Sequence, residues 1–180
     1  MHCPTCKMPS LTQTSLENHL HAQQCKTCAG HWISAQNYWQ WIEHQGETLP
    51  EKAPEDLSLE IVDHQKIIFC LDCHHLMLKY RVGHGTNFYL DRCSKCGGVW
   101  FDRNEWEALK QRNLHDEIHL IFSNVWQHKI RRSDLKHVAD NAYRSILGDE
   151  DYPKAVQIKD WLTKHPKAEA ILSFLNQAIR

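Results

Sequence analysis

No stretch of this 180-residue chain approaches the roughly 20 consecutive apolar residues that a membrane-spanning helix needs. Nucleophile elbow, phosphate loop and dinucleotide fingerprint are all missing, so no motif signals an enzyme, and a non-enzymatic role is expected. Excess charge is missing too: 21 basic residues stand against 22 acidic ones, which does not favour a general polyanion binder. Met1 and His2 leave no space for an apolar leader before Cys3, so the chain is expected to be cytoplasmic, where paired thiols hold metal more often than disulfides. Its length has room for one ordinary domain or a few small ones.

What the sequence has is cysteine, eight in all, in four C-x-x-C pairs: Cys3 and Cys6, Cys25 and Cys28, Cys70 and Cys73, Cys93 and Cys96. A C-x-x-C pair on a tight turn aims two sulfurs at one ion, and two such turns complete a tetrahedron. Eighteen residues separate Cys6 from Cys25 and nineteen separate Cys73 from Cys93, the interval of a zinc ribbon. Two structural Zn2+ ions, each held by four cysteines, are therefore expected; with no open coordination position they would do no catalysis. Each such site carries a formal charge of 2−, so the zinc-loaded chain would be about five units negative. Iron also fits a four-thiolate site, and pairing across the two halves is an alternative closure. Redox C-x-x-C chemistry, which goes with one or two pairs beside a βαβ pattern, fits less well.

The pattern is duplicated. Cys25, Cys28, Gly30 and Trp32 recur as Cys93, Cys96, Gly98 and Trp100, each shifted by 68 residues. In the second copy Leu76 to Val82 and Phe88 to Asp91 read as the strands of a hairpin, with Gly83-His84-Gly85-Thr86-Asn87 as its turn. The glycines after Cys96 are expected to let the chain turn around the metal, and Asp102 with Glu105 forms a capping-box pattern at the start of a helix. In the first copy Ser34 is the expected N-cap of a helix bearing Tyr38, Trp39, Trp41 and Ile42, which is apolar around much of its circumference and so must be sandwiched. The first hairpin lacks a glycine turn, and Ser15 to Leu20 reads as partly helical.

The run Cys-Pro-x-Cys, a following leucine, then Cys-x-x-Cys-x-Gly-x-Trp and Asp-x-x-Glu resembles the transcription factor IIB-type zinc ribbon family of bacterial proteins. The resemblance covers roughly residues 3 to 43 and 70 to 110. Cys93, Cys96, Gly98, Trp100, Phe101, Asp102 and Glu105 all fit it, whereas Leu71 replaces a proline and the first copy has Ser34 and Asn37 in place of the acidic pair. The resemblance implies zinc binding and a ribbon fold, and its name points toward transcription.

The predicted fold class is α+β: zinc ribbon 1 with its helix over 1–44, a linker over 45–58, zinc ribbon 2 with its helix over 59–114, and an all-α helical bundle over 115–180. Four amphipathic segments are expected in that last part, broken at Gly148 and near Pro153 and Pro166. A macromolecular partner is expected, with the chain an adaptor or regulator in transcription or translation. The candidate protein-binding residues are Trp39 and Trp41, and homo-oligomer assembly through that face or the last helix is an alternative expectation. Lys129, Arg131, Arg132, Lys136 and Arg144 form the candidate nucleic-acid surface. Trp32 and Trp100 are expected to cover their zinc knuckles rather than to stack on bases. His115 and His119, one helical turn apart, lack a third ligand and are not read as a metal site.

Overall fold

The computed structural model describes residues 2–46, 48–52, 59–83 and 86–178. The chain divides into two compact units, 1–130 and 131–180.

The first unit is built on one antiparallel sheet of six strands: β1 (Leu11–Glu17), β2 (Leu20–Cys25), β3 (His31–Ile33), β4 (Met77–Arg81), β5 (Tyr89–Cys93) and β6 (Val99–Phe101). Their spatial order is β1-β2-β3-β6-β5-β4, so the two copies meet edge to edge where β3 pairs with β6. Trp32 stands opposite Trp100 there, with His31 opposite Phe101 and Ile33 opposite Val99. The first hairpin is fully extended and has no helix, contrary to the expectation for Ser15 to Leu20. Glu17 pairs with Leu20, and the two-residue turn between them places His19 at φ 65°. Histidine is among the residues enriched in that left-handed region, so the turn closes without glycine. Of the expected second turn, His84 and Gly85 lie outside the described residues.

Side chains alternate across the sheet with a period of two. From β3 and β6, Trp32 and Trp100 enter the cluster that contains the cysteines, while Ile33, Val99 and Phe101 enter the main apolar core on the opposite face. Helix α1 (Ala35–Ile42) covers that core and contributes Tyr38 and Trp41. It starts as expected, with the Ser34 Oγ accepting the Asn37 backbone N–H at 3.2 Å. Helix α2 (Glu105–Gln111) and the short α3 (Ile118–Ile121) supply Trp106, Leu109, Ile118 and Ile121 to the same core. Trp41 meets Trp106 edge-on at 5.7 Å, so α1 is sandwiched between the sheet and the segment that follows ribbon 2. Residues 50–52, assigned by sequence to a linker, are pinned: Asn113 and Arg112 donate to the Pro50 and Lys52 carbonyls, and Arg112 pairs with Glu51 at 2.6 Å.

The four C-x-x-C turns share one backbone design. The residue directly after the second cysteine is left-handed in each, being Lys7 (φ 64°), Ala29 (59°), His74 (57°) and Gly97 (77°). Its N–H returns to the carbonyl of the first cysteine, at 3.0, 2.8, 3.1 and 2.9 Å respectively. Only one of the four positions is glycine. Gly97 thus meets the expectation for the glycines after Cys96, whereas Gly98 and its counterpart Gly30 serve another purpose. A Cβ on Gly30 would lie 2.4 Å from Trp100 Cζ2, and one on Gly98 would lie 2.4 Å from Trp32 Cζ2. Each tryptophan therefore packs on the glycine of the opposite copy as well as joining the buried cluster that holds the cysteines, and both are fully enclosed, at 2% and 0% exposure.

The C-terminal part is helical as expected, and its described side chains beyond Ile130 are not enclosed. Helix α4 (Asn124–Thr163) is interrupted only at Gly148 (φ 77°, ψ 169°), with Pro153 in the helical turns after it, and α5 (Ala168–Ala178) follows Pro166. No described side chain from 131 to 177 is buried; Leu135, Val138 and Ile146 are 71%, 67% and 76% exposed. A single interrupted residue at Gly148 does not provide the two to eight residues with which bundled helices reverse direction. Ile118 and Ile121, expected in the bundle, belong to the core of the first unit.

Two adjacent substitutions separate the turn from the interlock. Ala29→Gly should raise stability by up to about 1 kcal/mol, because it removes left-handed strain. Gly30→Ala should lower it by roughly 1–3 kcal/mol through overpacking against Trp100. Denaturant midpoints of the zinc-loaded protein measure both; equal effects would contradict the division of labour.

Candidate metal centres

Each copy gathers its own four thiols. Cys3, Cys6, Cys25 and Cys28 form one group and Cys70, Cys73, Cys93 and Cys96 the other, with all ligand atoms of a group within 4.8 Å of one another. Closure is within each copy rather than across them. The sulfur pairs Cys3–Cys28 and Cys6–Cys25 lie at 3.6 and 3.5 Å, and Cys70–Cys96 and Cys73–Cys93 both at 3.4 Å. A disulfide would bring two sulfurs to about 2.05 Å. Four thiolates about 2.3 Å from one zinc stand about 3.8 Å apart along the edges of a tetrahedron, close to the observed spacing. The donor set thus fits one Zn2+ per copy, held entirely by protein.

Burial opposes ionisation at these sulfurs, raising Cys3 to about 11 and pushing Cys28, Cys70 and Cys96 up as well. At Cys25 and Cys93 burial acts the same way but is outweighed. The Ser10 hydroxyl, 2.9 Å away, and turn amides bring Cys25 down to about 6. Turn amides and the Cys73 thiol bring Cys93 to about 7. The fold thus favours ionisation at Cys25 and Cys93, the third cysteine of each copy, and a divalent cation would supply the charge that opposes burial at Cys3, Cys28, Cys70 and Cys96.

Beside the second centre lies a network with no counterpart among the sequence expectations. Asp102 does not cap α2, whose N-cap position is Asn104 at φ 70°. Its carboxylate instead accepts the Trp100 indole N–H at 2.9 Å and the His64 backbone N–H at 2.8 Å, and it also meets His64 Nδ1. Half of the capping box survives, since the Asp102 backbone N–H donates to Glu105 Oε2 at 2.8 Å. Lys79 Nζ bridges Asp63 and Asp91 at 3.0 and 3.2 Å. Burial favours neutral Asp102, but the hydrogen bonds from His64 and Trp100 prevail and hold its pKa below the usual value. At Glu105 burial, reinforced by the Asp102 charge, outweighs the one hydrogen bond from the Asp102 N–H and pushes it well above the carboxylate range. Asp63, Asp102 and Glu105 are close enough to suggest a cation site, yet Lys79 and His64 already stand among these acids. The network fastens residues 60–64 to ribbon 2, helped by Asn104, which donates to the Glu60 carbonyl at 2.8 Å. Nothing in the residue spacing marks His64 as the partner of Asp102.

The two candidate partner tryptophans part company. Trp41 is fully buried, whereas Trp39 is 49% exposed and lies 5.1 Å from the His119 ring. Trp39 borders a cleft of about 260 Å3 lined also by Tyr38, Arg92, Ile118, His119 and Phe122. His115 and His119 hold no metal ligand set among the described residues: His115 packs against Trp41 and Trp106, and the Tyr38 hydroxyl lies 3.0 Å from His119 Nδ1. Lys129, Arg131, Arg132 and Lys136 are exposed, and Arg144 lies over the Tyr152 ring at 4.8 Å. No helix among the described residues is long and apolar enough to cross a membrane.

The family model described as transcription factor zinc-finger, of the TFIIB zinc-ribbon type, matches residues 2–44 and again 70–112. The two matched stretches are thus similar to zinc ribbons of that family, and each carries one four-cysteine group. No curated protein and no solved structure matches it.

Metal analysis of reduced protein should find two zinc ions per chain, and Cys96→Ser should leave one. Since roughly 10–16 kcal/mol of folding free energy attaches to a structural zinc, that variant should also lose the circular dichroism of ribbon 2. The raised Glu105 makes a second expectation. Its folded pKa exceeds its unfolded one, so its stabilising contribution is complete below the unfolded pKa and is lost as pH rises toward the folded value. Glu105→Gln, which keeps an acceptor for the Asp102 N–H, should gain on the wild type as pH is raised from about 5 to about 8. Parallel pH profiles of unfolding free energy would contradict this.

Proposed function

We propose that the chain is a non-enzymatic, cytoplasmic adaptor whose two zinc centres fix a rigid platform, and that it binds a protein partner of the transcription or translation machinery through the Trp39 cleft. The observation that carries this reading is the half-exposed Trp39 at the junction of the two copies. Ala35, Tyr38 and Trp39 come from copy 1, and Arg92, Gly97 and Val99 come from copy 2. A large aromatic left half in water beside an apolar hollow is the usual make-up of a binding hot spot. Arg92, 5.1 Å above the Phe122 ring, adds a cation at the rim, which suits a partner segment pairing an apolar side chain with an acidic one. Four-cysteine closure leaves no coordination position for substrate, which is why the centres are read as scaffolding. Direct nucleic-acid binding through Lys129, Arg131, Arg132, Lys136 and Arg144 is less well supported. Arg144 is engaged with Tyr152 and Asp149, and Asp149, Glu150 and Asp151 follow immediately in the chain.

Affinity capture from native lysate with zinc-loaded wild type and with Trp39→Ala tests the reading. The variant should keep its zinc content and should lose a polypeptide that the wild type retains, with affinity falling about tenfold or more. If every captured species survives the substitution, or if only nucleic acid is captured, the cleft is not the partner site.

A further inference from the structure

The second unit presents an apolar stripe that nothing described in that unit covers. Between Arg131 and Leu147, residues Leu135, Val138, Ala139, Ala142 and Ile146 recur at three- and four-residue intervals and so share one face of α4. Every one of these side chains is exposed. A helix of this length owes its stability in water mainly to packing of such a face, so a stripe left bare calls for an occupant.

The charges identify one. Arg131 and Arg132 stand one helical turn before Leu135, at the N-terminal end of the stripe, and Asp149, Glu150 and Asp151 follow its C-terminal end. One end is therefore basic and the other acidic, with the small residues Ala139 and Ala142 near the middle, where two helices could approach closely. Reversed against itself about that midpoint, the sequence sets Leu135 against Ile146 and Val138 and Ala139 against Ala142 and Tyr143, and it brings Asp149 and Glu150, just past the break at Gly148, to the end that carries Arg131 and Arg132. A parallel arrangement would set Arg131 against Arg131. The acids are available for this role. Asp149 lies 3.8 Å from Arg144, and Glu150 and Asp151 share Lys154 at 3.5 and 2.9 Å, but these pairs are exposed and add little.

We propose that residues 131–147 form an antiparallel, two-fold symmetric helix pair with a second copy of this chain, flanked at both ends by Arg131 and Arg132 against Asp149 and Glu150 of the other copy. Seventeen residues give a helix of about 25 Å, and such a pair buries on the order of 1,000 Å2 in total, the lower edge of specific interfaces. The dimer should therefore be reversible, with a micromolar dissociation constant. Two-fold symmetry makes each charge pair occur twice, so its loss counts twice. The inference is independent of the Trp39 cleft.

Sedimentation equilibrium of the full, zinc-loaded chain tests it. At ~50 mM salt, where charge pairs are least screened, the wild type should show a concentration-dependent monomer–dimer equilibrium. Ala142→Glu, which places a carboxylate near the two-fold axis, should weaken it about a hundredfold or more, with zinc content unchanged. Reversing Arg131 and Arg132 to glutamate should weaken it about tenfold, as should reversing Asp149 and Glu150 to lysine; combining all four should restore it to within about threefold of the wild type. A wild type that remains monomeric up to about 100 µM at low salt overturns the proposal. So does a dimer indifferent to Ala142→Glu, or a pair of reversals whose combination gives no rescue. If the chain stays monomeric and instead binds a DNA duplex through Arg131 and Arg132, this face serves nucleic acid and the proposal fails.

Discussion

The reciprocal seating of Trp32 on Gly98 and of Trp100 on Gly30 is the contact on which the rest of the first unit depends. It fixes β3 against β6 in a register where Trp32 faces Trp100, and that pairing turns two hairpins into one six-stranded sheet. A ribbon of this size buries too little to be stable by itself, which is why small domains need metals or partners. Here each copy has both: a four-cysteine centre, and the sheet edge of its duplicate. The edge strands that would otherwise offer unpaired N–H and C=O groups satisfy one another.

Metal and interlock are one construction. The indoles belong to the same buried cluster as Cys3, Cys25, Cys70 and Cys93, so they also shield the sulfurs from water. Excluding water strengthens the zinc–thiolate attraction and keeps oxidants away from the sulfurs. Trp100 extends the construction outward. Its indole N–H engages Asp102, and Asp102 holds His64, so ribbon 2 is tied to the segment before it through a buried polar network. Such networks favour one arrangement over its alternatives more than they add net stability.

The two copies have diverged in the helices that follow their ribbons. Copy 1 keeps Ser34 as a side-chain cap and carries Trp39 outward; copy 2 uses its acidic pair for an internal network and sends Trp106 into the core. The second unit differs in kind, since its apolar residues lie on the surface of helices instead of within them. The cleft beside Trp39 belongs to the first unit and the exposed helical stripe to the second, so the two surfaces are separate.

The sequence by itself determined the metal chemistry, because cysteine spacing is local: four C-x-x-C turns at the right intervals leave few other uses for eight thiols. It also determined the duplication, the Ser34 cap and the helical character of the C-terminus, each of which rests on residues near one another in the chain. Only the tertiary structure decided what Gly30 and Gly98 are for, since the side chain that requires their smallness comes from 70 residues ahead in one case and 66 behind in the other. It likewise split Trp39 from Trp41, and took Asp102 away from its helix for His64. Helical periodicity showed that Leu135, Val138 and Ile146 share a face, but periodicity cannot say what covers a face. That depends on whether the chain reverses, and at Gly148 it lacks the loop to do so.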